Sequence, residues 1–268
     1  ISDIEDSLSI GPLISSLEHL SNPQIGYTST NKPGFHYRMW IDNSLKFLST
    51  ILKLRSSMHP ENPSVLEKQL FSSLPKIVKA YLLNRKYRLK LTLMLTEMVK
   101  SKWNDAPPSM LTHLRSTYSI IFLNCLQEEI SFEHTDNTAI SGTFQLISAV
   151  MGNNQKGLSH FLLTGKSVID HKSSLTSNKS SLSSTLRKCV LEGKSNSPEY
   201  IFHLLDALLL SMSIKRVPFP EEDEVKFIDR LIHIRETRVT ANNAWDMNIV
   251  AKIVEILSLY LYLSNGEN

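Results

Sequence analysis

Glycine is scarce in this chain, with 9 among 268 residues, which is roughly half of its usual share in folded proteins. Tight β-hairpin turns and nucleotide-binding loops need glycine at positions with positive φ. The shortage therefore argues against β-sandwiches and against α/β nucleotide-binding folds. Apolar residues make up 41% and charged residues 21% of the sequence, which is ordinary for a folded, soluble protein.

Cysteine and long apolar runs are also lacking. The two cysteines, Cys125 and Cys189, both fall within apolar helical patterns, which predicts two buried, reduced thiols. Reduced thiols are typical of a cytosolic or nuclear protein. No uninterrupted apolar run approaches the ~18 residues that cross a bilayer, so the sequence predicts no membrane span.

The motifs of catalytic, cofactor and metal sites are missing as well. The nine histidines form no HExxH pattern and no zinc-spaced group with cysteine, and no GxSxG marks a nucleophilic serine. The tetrapeptide 164–167 (TGKS) resembles the end of a phosphate-binding loop, but His160 stands where that loop needs its first glycine. We predict a chain that is not an enzyme and has no cofactor and no small-molecule substrate.

The beginning of the sequence has neither an initiator methionine nor a signal peptide at Ile1. We expect the chain to be part of a longer intracellular protein that continues on both sides. The sequence is compatible with a nuclear or a cytoplasmic location, and we favour the nucleus.

The sequence does contain a succession of amphipathic helical patterns. In residues 36–58, apolar side chains recur with the i, i+4, i+7, i+11 spacing of one helix face. The residues of that stripe are Ile41, Leu45, Leu48 and Leu52, and those expected to widen it are Phe47, Ile51 and Leu54. Proline- and asparagine-marked turns separate such patterns along the chain. The sequence predicts about ten antiparallel helices and no strand.

The spacing of the helix pairs, about 40 residues, resembles that of HEAT and armadillo repeats. The resemblance lies in this rhythm and extends loosely over most of the chain, without a repeat consensus in the residues themselves. It implies an all-α fold in which antiparallel helices stack as a superhelix, or solenoid.

A serine-rich segment, SSLTSNKSSLSS at 173–184, interrupts the helical patterns. It offers little core material and predicts a flexible loop. On either side lie an N-terminal helical repeat region, 1–172, and C-terminal helical repeats, 185–268. Because both flanks have the same helical character, we expect the repeats to be continuous across the loop.

Two predicted helices are apolar on more than one side. In the helix of the segment 74–103, Leu89 and Leu93 project to the opposite side from Leu91 and Met98. The last helix, 245–263, is apolar nearly all round. A helix without a polar face must be covered on both sides, so we expect neighbours on both sides of the first. For the second, a partner, a further repeat or the N-terminal arm would supply the cover.

The segment 74–103 is also the most basic part of the chain. Between Lys76 and Lys102 it carries eight lysines or arginines against a single acid, Glu97. The charge concentrates at a helix junction with aromatic residues nearby. The residues that we predict to contact a partner are Arg85, Lys86, Tyr87, Arg88, Lys90 and Trp103.

Three interpretations of these cations remain open. They are solvated charges beside a core helix, or a site for an acidic segment of a protein partner, or a nucleic-acid contact. The sequence has no DNA- or RNA-binding motif. We predict a non-enzymatic scaffold that binds protein partners as a fragment or subunit of a larger eukaryotic complex, by preference nuclear. The alternative is a nucleic-acid-binding helical repeat that uses residues 76–102.

Overall fold

The computed structural model describes residues 10–20, 32–56, 65–101, 103, 108–132, 136–165, 181–214, 221–239 and 243–265. Every regular element within these ranges is helical, which confirms the predicted all-α class. The α-helices are α1 (Gly11–Leu20), α2 (Lys32–Ser56), α3 (Val65–Ser72), α4 (Leu74–Leu83), α5 (Arg88–Lys100), α6 (Met110–Ser131), α7 (Asn137–Gly152), α8 (Lys156–Thr164), α9 (Leu182–Glu192), α10 (Pro198–Ile214), α11 (Glu221–Arg238) and α12 (Ala244–Asn265). A 3-10 turn, Arg85–Tyr87, lies between α4 and α5.

The chain divides into two compact units. Unit 1 comprises Ile1–Cys125 with Asn153–Leu158, and unit 2 comprises Leu126–Gly152 with Ser159–Asn268. Most of the predicted serine-rich loop lies outside the described residues, and its last part, 182–184, already belongs to α9. The division into 1–172 and 185–268 therefore stays a prediction.

The core of unit 1 forms where α2 packs on α5, while α4 packs on α1 and α5. The predicted stripe of α2 is buried, with exposures between 0% and 2%. Phe47 and Leu54, which were expected to widen this stripe, are instead 54% and 50% exposed, whereas Ile51 is buried. The prediction was wrong for these two side chains because they lie on the side of α2 that faces away from α5.

Helix α5 is buried over a wide arc. The sequence predicted apolar residues covered on two opposite sides of this helix, and the buried arc is different. Leu91 and Met98 are fully buried, whereas Leu93 is 39% exposed. Thr92 and Thr96 fill the remaining arc, and their hydroxyls donate to backbone carbonyls four residues earlier, both at 2.8 Å. Buried threonines are tolerated because this bond satisfies their only donor.

Unit 2 is organised around α10, which packs on α7, α9 and α12. The leucines Leu204, Leu205 and Leu208 of α10 are at most 3% exposed. The rings of Phe144 on α7 and Tyr200 on α10 meet edge to face with centroids 5.3 Å apart, which is a favoured geometry for aromatic pairs. These contacts make α10 the central helix of the unit.

Helix α12 is covered along one side within the described residues. Ile249, Ile253 and Ile256 are fully buried. Its other side keeps Met247 and Leu261 exposed, at 68% and 60%. The expected cover on the second side is therefore not supplied by the described residues of unit 2.

A left-handed glycine ends α9. Gly193 has a φ of +60°, and its backbone N–H donates to the carbonyl of Cys189 at 3.1 Å, as is common for helix C-terminal caps. A Cβ added here would lie 2.3 Å from the Arg230 guanidinium. The positive φ therefore favours glycine, and an added Cβ would also make the end of the Arg230 side chain move.

We expect Gly193→Ala to lower the free energy of unfolding by about 1–2 kcal/mol, because alanine is strained at positive φ and Arg230 must move. Gly152→Ala is the matched control, since a Cβ there meets only Leu210, at 3.9 Å. The control should be neutral or slightly stabilising. Urea unfolding of both variants measures the difference, and equal stabilities would contradict the interpretation.

The start of α12 is held by a polar cluster. The backbone N–H of Asp246 donates to the Asn243 side chain at 2.9 Å, and the Asp246 carboxylate accepts from Arg238 and from the Asn243 amide. The hydrogen bond from Arg238 lowers the pKa of Asp246 below its usual value, and the bond from Asn243 acts in the same direction. The ionised carboxylate is therefore the form that the fold stabilises.

Because the folded pKa of Asp246 is depressed, its contribution to stability is present above the carboxyl's ordinary pKa of 3.8 and is lost as the pH falls through the folded value. We expect Asp246→Asn to lower the free energy of unfolding at pH 7. The difference in this free energy between the variant and the wild type should shrink below about pH 4. Urea unfolding across this range tests it. A difference in the free energy of unfolding that grows towards low pH would contradict a depressed pKa of Asp246.

Candidate partner-binding junction

The junction between α4 and α5 begins where Asn84 leaves the helical conformation. Its φ and ψ are −119° and 78°. Its backbone N–H and its side-chain amide both donate to the carbonyl of Ala80, at 2.9 Å and 3.3 Å. The chain then makes the 3-10 turn Arg85–Tyr87 and enters α5 at Arg88. The predicted concentration of charge therefore lies at a true turn of the backbone.

Arg88 closes this turn from the inside. It is only 6% exposed, and its guanidinium donates to the carbonyls of Tyr81 at 3.1 Å and Leu82 at 3.2 Å. The last carbonyls of a helix lack intrahelical partners and carry partial negative charge. The guanidinium also lies 5.6 Å from the centroid of the Tyr81 ring. Arg88 thus fixes the end of α4 against the start of α5.

Lys90 and Tyr87 connect the junction to α2. Lys90 forms an ion pair with Asp42 of α2, and its ammonium lies 5.9 Å from the centroid of the Tyr87 ring. Tyr87 is 4% exposed, and its burial, together with the negative charge of Asp42, raises the pKa of its hydroxyl. Both side chains contribute mainly to packing within unit 1.

Trp103 is an internal residue as well. Its indole N–H donates to the carbonyl of Met98 at 2.7 Å. The Arg55 guanidinium lies 4.5 Å from the indole centroid, and Phe71 meets the ring edge to face at 5.5 Å. With 7% of its surface exposed, the side chain fills the core beside α3 and α5.

Arg85 and Lys86 are the two predicted site residues with exposed side chains. Burial thus divides the six: these two lie at the surface, Lys90 is partly exposed, and Tyr87, Arg88 and Trp103 are buried. Lys102, at the end of the basic segment, lies outside the described residues. That the junction binds a partner stays a prediction. Of the six residues predicted to make this contact, Arg85 and Lys86 are the two that are exposed.

The residues that hold these cations were not apparent from the sequence. Asp42 lies on α2, far from Lys90 in sequence. Tyr81 lies on α4, which the turn separates from Arg88. The spacing of residues along a single helix therefore could not identify either partner. One signal was available. The charges scatter around the helix axis, which is expected when each cation serves a different neighbour.

Other chemically active side chains also have structural partners. His203 and Gln145 form a hydrogen bond of 3.0 Å, and Asp206 pairs with Lys252 at 3.2 Å. Cys125 and Cys189 are both buried, and no disulfide joins them. Burial raises the pKa of the Cys189 thiol to about 11. Across the described ranges, no group of His, Cys, Asp or Glu is placed to hold a metal ion. None of the described helices is long and apolar enough to cross a membrane.

Comparison with known proteins gives a consistent family match. Residues 2–166 match the family described as Nucleoporin Nup188, N-terminal subdomain III, and this range includes the junction. The chain is 26% identical over 250 residues to Nucleoporin NUP188 of Saccharomyces cerevisiae, which covers 87% of this chain and 15% of that relative. It is 27% identical over 143 residues to Nucleoporin nup184 of Schizosaccharomyces pombe, covering 53% of this chain and 9% of that relative. The chain thus spans less than a sixth of the length of either relative.

Structural and exposed cations of the junction should respond differently to mutation. We expect Arg88→Ala to lower the free energy of unfolding by about 2 kcal/mol, because the buried carbonyl of Tyr81 and the partly buried carbonyl of Leu82 lose a charged donor. Arg85→Ala with Lys86→Ala should change it by less than about 0.5 kcal/mol. Denaturant unfolding followed by circular dichroism measures both. An Arg88→Ala variant as stable as the double variant would refute the role of Arg88 as a clamp.

Proposed function

The chain belongs to the Nup188 family of nucleoporins, and we propose that it acts as a non-enzymatic segment of the nuclear pore scaffold, located at the nuclear envelope. Nucleoporins of this family are scaffold subunits of the nuclear pore complex. The observation that carries the proposal is the family match over residues 2–166, a range that contains the helices α1 to α8. The predicted helical scaffold within a larger eukaryotic assembly agrees with this membership.

The internal bonding of unit 1 supports a scaffold role. A scaffold must keep its helices in a fixed arrangement while partners bind. Arg88 bonds the end of α4, and Lys90 bonds α5 to α2 through Asp42. These side chains use charge to fix helix positions, and none of them is placed in the kind of convergent polar pocket that catalysis uses.

We further infer that Arg85 and Lys86 contact an acidic segment of a protein partner in the pore. Both side chains are exposed on a short 3-10 turn. Arg88 holds this turn through its bonds to the carbonyls of Tyr81 and Leu82, so little of the backbone has to become ordered on binding. Opposite charges across an interface favour rapid and selective association. Since Arg88 is buried and Lys90 is paired with Asp42, the exposed charge at the turn itself is that of Arg85 and Lys86.

A chimera in yeast tests the proposal. This chain replaces the matched segment of the Saccharomyces cerevisiae relative, and a fluorescent tag reports location. We expect the chimera to localise at the nuclear rim and to copurify with pore subunits. Arg85→Glu with Lys86→Glu should lower the recovery of at least one partner about tenfold, which corresponds to about 1.4 kcal/mol.

The matched control makes the same change in charge elsewhere. Lys226→Glu with Arg235→Glu reverses two exposed cations on α11 and should leave recovery unchanged. A chimera that stays diffuse although it is folded would refute the scaffold proposal. A rim-localised chimera whose junction variant keeps every partner would refute only the role of Arg85 and Lys86.

A further inference from the structure

Helix α2 carries a line of large apolar side chains on its outer side. Trp40, Phe47 and Leu54 are spaced by seven residues, which is nearly two helical turns, so they align along the axis. They are 41%, 54% and 50% exposed. Large aromatic side chains at this exposure are costly to leave in water and are typical of interaction sites.

The opposite side of the same helix is fixed in the core. Ile41, Leu45 and Leu52 are at most 1% exposed, and α2 packs along α5. The Trp40 ring is also supported, since Tyr37 stacks on it with centroids 6.1 Å apart and planes 27° apart. The outer line is therefore presented by a rigid helix, which lowers the entropic cost of binding.

Cations border this apolar line. Lys46 and Lys53 directly precede Phe47 and Leu54, and both are exposed. They project about 100° around the axis from the apolar residues, which is still on the outer side of the helix. The acid of α2, Asp42, is paired with Lys90. We name the set Trp40, Lys46, Phe47, Lys53 and Leu54 the α2 ridge.

We propose that the α2 ridge docks an amphipathic helix of a protein partner that carries apolar residues at seven-residue spacing and acidic residues on its flank. Two helices with matching apolar lines pack with a small crossing angle. In that arrangement the partner's flanking side chains lie beside Lys46 and Lys53. Acidic groups there gain from the two cations, whereas basic groups are repelled. This surface is separate from the junction and goes beyond the scaffold role proposed above.

The charge arm of the test uses two labelled helical peptides of about three heptads each. Both have leucine at seven-residue spacing, and one has glutamate on its flanks where its twin has lysine. By fluorescence anisotropy the acidic peptide should bind at least about tenfold more tightly than the twin, and salt should weaken its binding. Lys46→Glu with Lys53→Glu should reverse the preference while the fold is retained.

The apolar arm uses truncations with a matched control. Phe47→Ala with Leu54→Ala should weaken the acidic peptide at least about tenfold. Val225→Ala with Ile232→Ala removes two exposed apolar side chains of α11, which have the same seven-residue spacing and are 61% and 36% exposed. This control should bind as the wild type does. Unchanged circular dichroism in each variant shows that a loss of binding is not a loss of fold.

Several results would overturn the proposal. Equal binding of the two peptides would refute the role of charge. Binding of neither peptide would refute the docking of a helix on the ridge. A dimer that Phe47→Ala with Leu54→Ala dissolves would assign the ridge to a second copy. If the acidic peptide binds this chain alone but does not bind the purified yeast chimera, the longer polypeptide covers the ridge.

Discussion

Helix ends leave backbone carbonyls without partners, and in this protein basic side chains satisfy several of them. Arg88 bonds the carbonyls of Tyr81 and Leu82 at the end of α4. In unit 2, Lys194 bonds the carbonyls of Ile130 and Ser131, the latter at 3.2 Å. An all-helical chain has many such ends, and these bonds help to fix α4 and α6 within their units.

Because some basic side chains bond groups of the protein itself, the basic composition does not by itself indicate a nucleic-acid partner. A net charge of +3 and a cluster of cations invite a nucleic-acid interpretation. Arg88 and Lys90, however, are bound to groups inside unit 1, and Arg238 in unit 2 is bound to Asp246 and to the carbonyl of Asn196. Part of the positive charge of this protein therefore stabilises its own helices. The cations that a partner can reach are those exposed at turns, such as Arg85 and Lys86, and along outer helix faces, such as Lys46 and Lys53.

The outer faces follow a common pattern. On α2 and α12, three exposed apolar side chains recur at seven-residue spacing on the side away from the unit's own core. For α12 these are Met247, Val254 and Leu261. A seven-residue line on an exposed helix is the spacing with which another helix packs. A scaffold built of such helices presents contact surfaces without needing loops, which suits a chain with few glycines.

Much of the fold was predictable from the sequence because burial follows helical periodicity. The α2 stripe, the all-α class and the buried cysteines depend only on local spacing and composition. Phe47 and Leu54 fall within the same broad apolar arc as the buried stripe, so their exposure could not be read from spacing. It depends on which side α5 covers, and that contact joins residues distant in sequence.

The same division holds for the candidate site. The sequence by itself determined that cations concentrate at a turn after Asn84, because asparagine and the break in periodicity mark the end of a helix. Only the tertiary structure decided which of these cations reach the surface. Arg88 is buried because the carbonyls of α4 lie within its reach, and Lys90 is only partly exposed because it pairs with Asp42 of α2. Arg85 and Lys86 lie in the turn between α4 and α5, and the packing of α2, α4 and α5 leaves their side chains exposed to solvent.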